Sequence, residues 1–273
     1  MAEPTDGLGD FLALTRKISR DRGFGCASYK EKCLRRRIAV RMRARGVHTY
    51  PAYASVLDAD AHEYDLLLDA LTINVTKLFR NWETFRAIQA ACVPALWALP
   101  DAALRLWSAG CASGEEAHSL AILMHRYVTD RGESTRLGRV CVMGTDIDRV
   151  SLEAARRGAY IEAAFADTPA ELRARYFSPA APHVVHDDVR RLVRFEHRDL
   201  LSDPPPAADL HFIACRNVLI YFDRDTQEML FQKFHDALAP GGFLVLGKVE
   251  TLFGPTRARF QAVEPRERIF RRQ

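Results

Sequence analysis

The chain has 273 residues, of which 48% are hydrophobic and 27% are charged, as in a water-soluble globular protein with a sizeable buried core. We find no apolar run of the roughly 20 residues that a membrane span needs, and no basic start followed by an apolar segment that would indicate a secretory signal. The six cysteines are scattered without a C-x-x-C pair, which favours free thiols in a reducing compartment. We therefore expect a cytoplasmic protein without direct membrane insertion.

Apolar residues recur every three or four positions through the first eighty residues, which predicts a series of helices. The amphipathic stretch 30–45 carries Leu34, Ile38 and Met42 along one face. Shorter helices are predicted over 50–57 and 63–71. A stripe near the start comprises Phe11, Leu12, Leu14 and Ile18. No strand-like alternation precedes about residue 100.

The net charge of +4 is mild, but residues 30–45 hold eight cations and one acid. Lys32, Arg36 and Arg43 fall opposite the apolar stripe of this helix, which indicates an acidic partner surface. A merely solvated helix face is the alternative. Nucleic acid also attracts arginines, but no aromatic residues are interleaved here for base stacking, so we expect no nucleic-acid partner.

Beyond Pro100, short apolar strands alternate with helices. The predicted strands cover 104–107, 140–144, 193–196, 210–214, 243–246 and 268–270. The predicted helices cover 115–128, 149–157 and 226–238. This alternation is typical of an α/β domain whose parallel sheet is covered by helices on both faces.

The small-residue turn 108–114 follows the first predicted strand, at the sheet edge where ligands bind in such folds. Only Gly110 and Gly114 are glycines, so the turn is not the G-x-G-x-x-G of dinucleotide sites. Glu115 and Glu116 occupy the helix start where a phosphate would otherwise bind. Negative charge there suits S-adenosylmethionine (SAM), which has a sulfonium and an amino group and no phosphate. Alternatively, the two acids only complement the helix dipole.

Asp146 ends the second predicted strand, where an acid can accept hydrogen bonds from both ribose hydroxyls of a cofactor. An ordinary helix N-cap is the alternative role. Asp148 is the better candidate for that cap, because it immediately precedes the next helix.

Five segments, in order and with consistent spacing, resemble the CheR-type protein-glutamate methyltransferases. They are NVTKLFR at 74–80, WSAGCASGEEAHSL at 107–120, the D-I-D segment at 145–160, CRNVLIYF at 215–222, and the P-G-G…E segment at 240–250. The first and fourth together are highly specific, and the resemblance runs from about residue 10 to the end of the chain.

The resemblance implies an N-terminal all-helical domain with its linker over 1–82 and a SAM-dependent, Rossmann-like methyltransferase domain over 83–273. A small antiparallel β subdomain is expected as an insertion at about 160–196. The implied activity transfers a methyl group from SAM to glutamate side chains on the cytoplasmic helical bundle of chemoreceptors. The product S-adenosylhomocysteine (SAH) would occupy the same site. Alternatives are a methyltransferase with another substrate and a non-catalytic SAM-binding regulator.

Roles follow from the resemblance residue by residue. Arg80 and Tyr221 are implied as catalytic residues, and Lys32, Arg36 and Arg43 as receptor-binding residues. The implied cofactor-binding residues are Asn74, Thr76, Arg80, Gly110, Glu115 or Glu116, Asp146, Asp199, Leu200, Arg216 and Asn217. A structural ion pair for Arg80 and a core position for Tyr221 are the alternatives. We expect no metal, since the H-x-x-H of His183 and His186 has no accompanying ligand pattern.

The chain departs from the family pattern at several positions. Leu78 replaces the first Phe of F-F-R, which alters packing alone. Asp199 stands where many members carry Asn, and a carboxylate accepts from an adenine amino group but cannot donate. Ala117 and His118 replace the usual Pro-Tyr, with no consequence evident from the sequence.

Some relatives bind a C-terminal tether peptide of the receptor. Relatives that grip this tether use a glycine-containing loop of the small β subdomain. The corresponding stretch here, 177–188, has no glycine for positive φ values, and Pro179 and Pro182 lack the N–H that an added strand needs. We therefore expect an enzyme that is independent of the tether.

Overall fold

A computed structural model describes residues 7–72, 76–100 and 103–273. The described residues form two compact units. Residues 7–72 and Tyr221–Gln227 form unit 1, and residues 76–100, 103–220 and Glu228–Gln273 form unit 2. Asn74, which the resemblance implies as a cofactor ligand, lies outside the described residues.

Unit 1 is helical, as predicted. Its helices are α1 (Leu8–Arg22), α2 (Glu31–Ala44), α3 (Tyr50–Ala59) and α4 (Ala61–Leu71). Side-chain N-caps fix the starts of α3 and α4. Thr49 accepts from the Ala52 N–H, and Asp60 accepts from the His62 N–H. The predicted stripe of α1 is wrong at Leu12, which is exposed while Phe11, Leu14 and Ile18 are buried.

A buried polar cluster ties α2, α3 and α4 together. Glu63 is fully buried and accepts from two guanidinium nitrogens of Arg41, at 3.0 and 2.7 Å. It also accepts from the Tyr53 hydroxyl at 2.7 Å. Because buried carboxylates stabilise a fold only when they are paired, these partners make Glu63 a structural residue of unit 1.

Unit 2 is built on a seven-stranded sheet in the order β5-β2-β1-β6-β7-β9-β8. Its strands are β1 (Leu104–Ala109), β2 (Val140–Asp146), β5 (Val193–His197), β6 (Leu210–Cys215), β7 (Leu238–Leu246), β8 (Phe260–Glu264) and β9 (Ile269–Arg272). The first five are mutually parallel, whereas β9 runs antiparallel to its neighbours. The predicted α/β class is confirmed.

Helices flank this sheet. They are α5 (Trp82–Ala87), α6 (Val93–Trp97), α7 (Glu115–Asp130), α8 (Arg149–Arg157), α9 (Ala170–Tyr176), α10 (Asp187–Arg190) and α11 (Arg224–Ala237). The start of α11 belongs to unit 1 and the remainder to unit 2. The strand β7 begins immediately after α11 and includes the Pro240-Gly241-Gly242 segment, so it starts earlier than the strand predicted at 243–246.

A separate two-stranded antiparallel sheet pairs β3 (Ala159–Tyr160) with β4 (His183–Val184). It lies within the interval predicted for the small β subdomain. The strand predicted at 193–196 is confirmed as the edge strand β5 of the main sheet, so the small β sheet ends before it. Within the three described ranges, no helix is both long and apolar enough to cross a membrane.

Candidate cofactor and catalytic site

The turn after β1 is held tightly against the neighbouring strands. The backbone N–H groups of Gly110 and Cys111 both donate to the carbonyl of Thr145, at 2.8 and 3.0 Å. Gly110 has φ +75°, and a Cβ there would lie 2.6 Å from a methyl carbon of Val218. Any L side chain would therefore be strained and would clash, which explains the glycine.

Asp146 joins the ends of β1 and β2. One carboxylate oxygen accepts from the Ala112 N–H at 2.8 Å, and the other accepts from the Asp148 N–H at 3.0 Å. Burial raises the pKa of Asp146, and these two N–H groups oppose that shift. Asp148 caps α8 by accepting from the Val150 N–H, as predicted, so Asp146 remains available at the edge of the sheet.

Glu115 and Glu116 begin α7 but have different partners. Both carboxylate oxygens of Glu115 accept from the Ser113 hydroxyl. Glu116 accepts from the Ser108 hydroxyl at 2.8 Å and pairs with Arg216 at 3.4 Å. Burial raises the pKa of both acids. In the case of Glu116, the nearby positive charges of Arg216 and Arg80 oppose the rise.

Arg216 is the centre of a second cluster. Its guanidinium donates to the backbone carbonyl of Arg80 at 2.7 Å and to the side-chain oxygen of Asn81 at 3.2 Å, and lies 5.2 Å from the Phe85 ring centroid. The residue is 6% exposed, and burial lowers its pKa while Glu116 opposes that shift. Arg216 therefore holds the turn that carries Arg80.

Arg80 follows the first CheR-like segment. In this segment the Phe79 N–H donates to the Ser119 hydroxyl of α7 at 2.9 Å, and the Leu78 N–H donates to the Ala164 carbonyl at 3.0 Å. Leu78 is fully buried, in agreement with a packing role. Thr76 is half-buried.

Asn217 and Glu250 form the wall beyond β6. The carboxylate of Glu250 accepts from the backbone N–H groups of Asn217, Gly247 and Ile220, at 3.0, 2.6 and 3.3 Å. Asn217 itself adopts φ +62°, and its side-chain oxygen is buried without a hydrogen-bond partner among the described residues. Such an orphaned acceptor fits a ligand that donates an N–H or O–H.

Asp199 and Leu200 lie in a loop that is fixed by its own hydrogen bonds. The Asp199 carboxylate accepts from the Leu201 N–H and the Ser202 hydroxyl, both at 2.9 Å. Lys233 donates to the Leu200 carbonyl at 2.8 Å. These hydrogen bonds fix the loop, and the implied role of Asp199 in cofactor binding stays a prediction.

The remaining predicted site residues lie in unit 1. The backbone carbonyl of Tyr221 accepts from the Lys30 N–H at 2.8 Å, and the Arg37 guanidinium lies 5.7 Å from its ring centroid. Lys32, Arg36 and Arg43 are exposed on α2.

Several other cations of α2 and its ends have partners within unit 1, which the sequence did not reveal. Arg35 pairs with Glu31, Arg41 with Glu63 and Arg45 with Asp60. The three predicted receptor-binding cations are thus separated from those that stabilise the unit.

Glu250 was not predicted as a site residue from the sequence. Glu250 was visible as the end of the fifth family-like segment, but its N–H partners follow β6 and β7 and required the fold. The contact of Arg216 with the Arg80 turn likewise joins distant parts of the sequence. No cluster of potential metal ligands is present among the residues that the structure describes.

A doubly wound sheet with a glycine turn after β1 and an acid ending β2 defines the class of Rossmann-like, cofactor-binding enzymes. Residues 74–269 match the family described as "CheR methyltransferase, SAM binding domain", and residues 9–72 match "CheR methyltransferase, all-alpha domain". The chain belongs to the CheR methyltransferase family and is a SAM-dependent methyltransferase, as the sequence motifs predicted.

Curated relatives are similar in sequence over nearly the whole chain. The chemotaxis protein methyltransferase of Listeria innocua is 32% identical over 90% of this chain and 91% of its own. The chemotaxis protein methyltransferase of Klebsiella aerogenes is 30% identical over 88% of this chain and 82% of its own. Among solved structures, the TehB-like SAM-dependent methyltransferase of Corynebacterium glutamicum aligns with a TM-score of 0.38 at 15% identity, over 71% of this chain and 94% of that one.

Proposed function

We propose that this enzyme transfers the methyl group of SAM to glutamate side chains on the cytoplasmic helical bundle of chemoreceptors, giving glutamyl methyl esters. The observation that carries this proposal is the position of Arg80, whose turn is held by Arg216 and whose charge acts on Glu116 at the start of α7. Membership in the CheR family supports it, as do relatives named chemotaxis protein methyltransferases. We place the reaction in the cytoplasm, with no nucleic-acid substrate.

The cofactor-binding residues follow from the chemistry of their side chains. When bound, SAM supplies an electrophilic methyl group. Asp146 would accept from its ribose hydroxyls, and the orphaned side-chain oxygen of Asn217 would accept from an N–H or O–H donor. Glu115 is better suited than Glu116 to the cationic methionine end, since Glu116 already pairs with Arg216. Residues assigned by family resemblance are Asn74, Thr76, Gly110, Asp199 and Leu200.

The substrate needs little chemical activation. A glutamate carboxylate has a reference pKa near 4.3, so it is ionised and nucleophilic at neutral pH without a general base. The tasks left to the protein are to align the carboxylate with the methyl group and to exclude water. Arg80 would orient the carboxylate by charge-assisted hydrogen bonds, and Tyr221 would hydrogen-bond it or shape the pocket.

Arg216 is a positioning residue in this scheme. It contacts the backbone of Arg80 and the side chain of Asn81, and its own charge is paired with Glu116. A buried guanidinium that donates to two neighbouring residues restricts the turn, so less conformational entropy is lost when Arg80 engages a carboxylate.

Receptor docking would rest on the exposed cations of α2. Lys32 and Arg36 are one helical turn apart, and Arg43 lies two turns beyond Arg36 on the same side. Positive charge in this pattern accelerates encounter with an acidic helical surface. We propose that the receptor's tether peptide is not required, because the loop 177–188 lacks glycine and contains two prolines.

The test is incubation with methyl-labelled SAM and receptor-containing membranes, followed by release of volatile methanol in base. We expect base-labile label on the receptor with the wild-type enzyme and a large loss with Arg80→Ala. Lys77→Ala is the matched control, since it removes a cation from the same segment that pairs instead with Asp167 at 3.6 Å. Base-stable label, or equal activity of the two variants, would contradict the proposal.

A further inference from the structure

A second cleft lies beside the edge strand β5, apart from the turn after β1. Its volume is about 510 Å³. Three arginines and one acid line it, Arg156 from the end of α8 and Arg190, Arg191 and Asp187 from α10 and its end. The half-buried side chains of Val193 and Phe195 add an apolar surface. The cleft therefore combines concentrated positive charge with an apolar patch.

The guanidinium groups of this cleft are only lightly neutralised. Arg156 pairs with Glu153 at 2.6 Å, and Arg190 pairs with Asp187 at 3.1 Å. Both acids are largely exposed, so these pairs are weak and screened by salt. Arg191 donates to the Asp188 backbone carbonyl at 3.4 Å. Arg156 also donates to the Phe195 carbonyl at 3.1 Å, and Arg190 to the Arg156 carbonyl at 3.5 Å. Each guanidinium has five N–H donors, so each still has donors left for an anion.

A buried histidine completes the lining. His118 is 1% exposed, and burial, with a smaller effect from Arg190, lowers its pKa to about 3. Its ring is therefore neutral at pH 7. The Tyr160 hydroxyl donates its one proton to the Ser113 carbonyl at 3.1 Å. The 2.7 Å contact between Nδ1 of His118 and this hydroxyl thus places the ring proton on Nδ1.

Nε2 of His118 is then a bare acceptor. It lies 3.6 Å from the position of a Cβ on Gly158, and the Arg190 side chain approaches that same position at 3.6 Å. Nε2 has no hydrogen-bond partner within the part of the chain that the structure describes. Gly158 keeps the space between His118 and Arg190 open.

We propose that this cleft binds a phosphate monoester that also carries a hydroxyl or N–H donor, such as a nucleotide. The arginines take the phosphoryl oxygens by charge-assisted hydrogen bonds, for which the planar guanidinium is well matched. His118 accepts from the donor, and Phe195 packs against the body of the ligand.

Hydrogen bonds connect this cleft with the turn after β1. Tyr160 links His118 to the Ser113 carbonyl, and the Ser113 hydroxyl donates to Glu115. A ligand on His118 would therefore restrict a residue proposed to contact the cofactor. This coupling rests on the proposed function, whereas binding of the ligand itself does not.

The test is calorimetry of the full chain with uridine 5′-monophosphate, in the presence of saturating SAH so that the cofactor site is blocked. We expect saturable binding at one site per chain, and no detectable binding of uridine at the same concentrations. The double variant R190A/R191A should bind about ten-fold more weakly or worse, since it loses charge-assisted hydrogen bonds. Should it fail to fold, Arg191→Glu removes an exposed side chain and serves instead.

The matched control is R149A/R157A, which loses two exposed arginines of α8 that do not line the cleft. Equal weakening by this control, or equal binding of uridine, would overturn the site. Titration of the nucleotide with and without SAH measures the coupling, which must be reciprocal and is expected to reach about five-fold or more. Equal affinities in the two titrations would overturn the coupling, and SAH binding is measured separately to check the cofactor site.

Discussion

The guanidinium of Arg216 donates to the backbone carbonyl of Arg80 at 2.7 Å, although the two residues are 136 positions apart. The same guanidinium pairs with Glu116 at the start of α7. Arg216 thus connects the end of β6, the start of α7 and the turn of Arg80. Arg216 therefore adds a long-range contact to those that hold the segment of Arg80 through Phe79 and Leu78.

Arg216→Ala should therefore lower both stability and methyl transfer. Breaking a buried pair leaves Glu116 charged and unpaired, which costs about 3–5 kcal/mol of the free energy of unfolding. The double variant Glu116→Gln, Arg216→Met should lose less, because neither position then carries an unpaired charge. Urea unfolding measures both losses. If the double variant is the less stable of the two, the ion pair is not what fixes this region.

Asp146→Asn should weaken binding of SAH, and it should also lower stability because its NH2 group would face one of the two backbone N–H groups that the carboxylate accepts from. The amide loses one acceptor towards the ribose hydroxyls, and a hydrogen bond to a charged group contributes about 1.5–3 kcal/mol. Calorimetry should thus record a clear loss of affinity. Asp148→Ala is the control, because it removes the N-cap of α8 and should reduce stability by about 1 kcal/mol without weakening SAH. Unchanged affinity in Asp146→Asn would remove this residue from the ribose site.

Charge reversal on α2 should slow receptor methylation. R36E/R43E reverses two exposed cations, and the effect should shrink with added salt, since the screening length is about 8 Å at physiological ionic strength. SAH affinity should not change. R16E/R20E reverses two exposed cations of α1 and serves as the control of equal charge. If both variants methylate receptors at the same rate, net charge alone matters and α2 is a solvated face.

Much of unit 2 could be predicted because its signals are local. The turn at Gly110 and the acid Asp146 each follow a short apolar strand, and both lie where those patterns placed them. The strand β8 was missed, because it is an edge strand with only Phe260 buried. A strand that buries so little carries a weak alternation signal.

Contacts between residues distant in the sequence could not be predicted, for a different reason. Arg41 looks like any other cation of α2, and its pairing with Glu63 depends on how α4 packs against α2. The hydrogen bonds that the Asp199 carboxylate accepts from Leu201 and Ser202 likewise could not be predicted from residue type alone. Residue type and spacing give the chemistry that is available, but the partner is set by tertiary packing.

His118 should make stability depend on pH in the acid range. Its folded pKa of about 3 lies below the unfolded value near 6.5, so the unfolded chain binds the proton first as the pH falls. The contribution of His118 to the free energy of unfolding is present above pH 6.5. It is lost as the pH falls from 6.5 to 3, at up to about 1.4 kcal/mol per pH unit. From pH 7 to pH 5, wild type should therefore lose about 2 kcal/mol more than His118→Gln.

His62→Gln is the control for this measurement, since His62 is exposed on α4. It should keep the wild-type dependence when urea unfolding is repeated at both pH values. Parallel losses in wild type and His118→Gln would mean that the imidazole is hydrated, and not buried in its neutral form.

The loop of the small β sheet should not bind the receptor tether. Polar groups of this loop already have hydrogen-bond partners within the loop. The Ser178 hydroxyl accepts from the Val184 N–H at 2.9 Å, and the Ser178 carbonyl lies 2.8 Å from Nδ1 of His183. Pro179 and Pro182 offer no N–H to an added strand. Titration with a free tether peptide, followed by its tryptophan fluorescence, should give no saturable signal. Saturable binding at about micromolar concentration, corresponding to roughly 8 kcal/mol, that is lost on mutation within 177–188 would show that the tether is used after all.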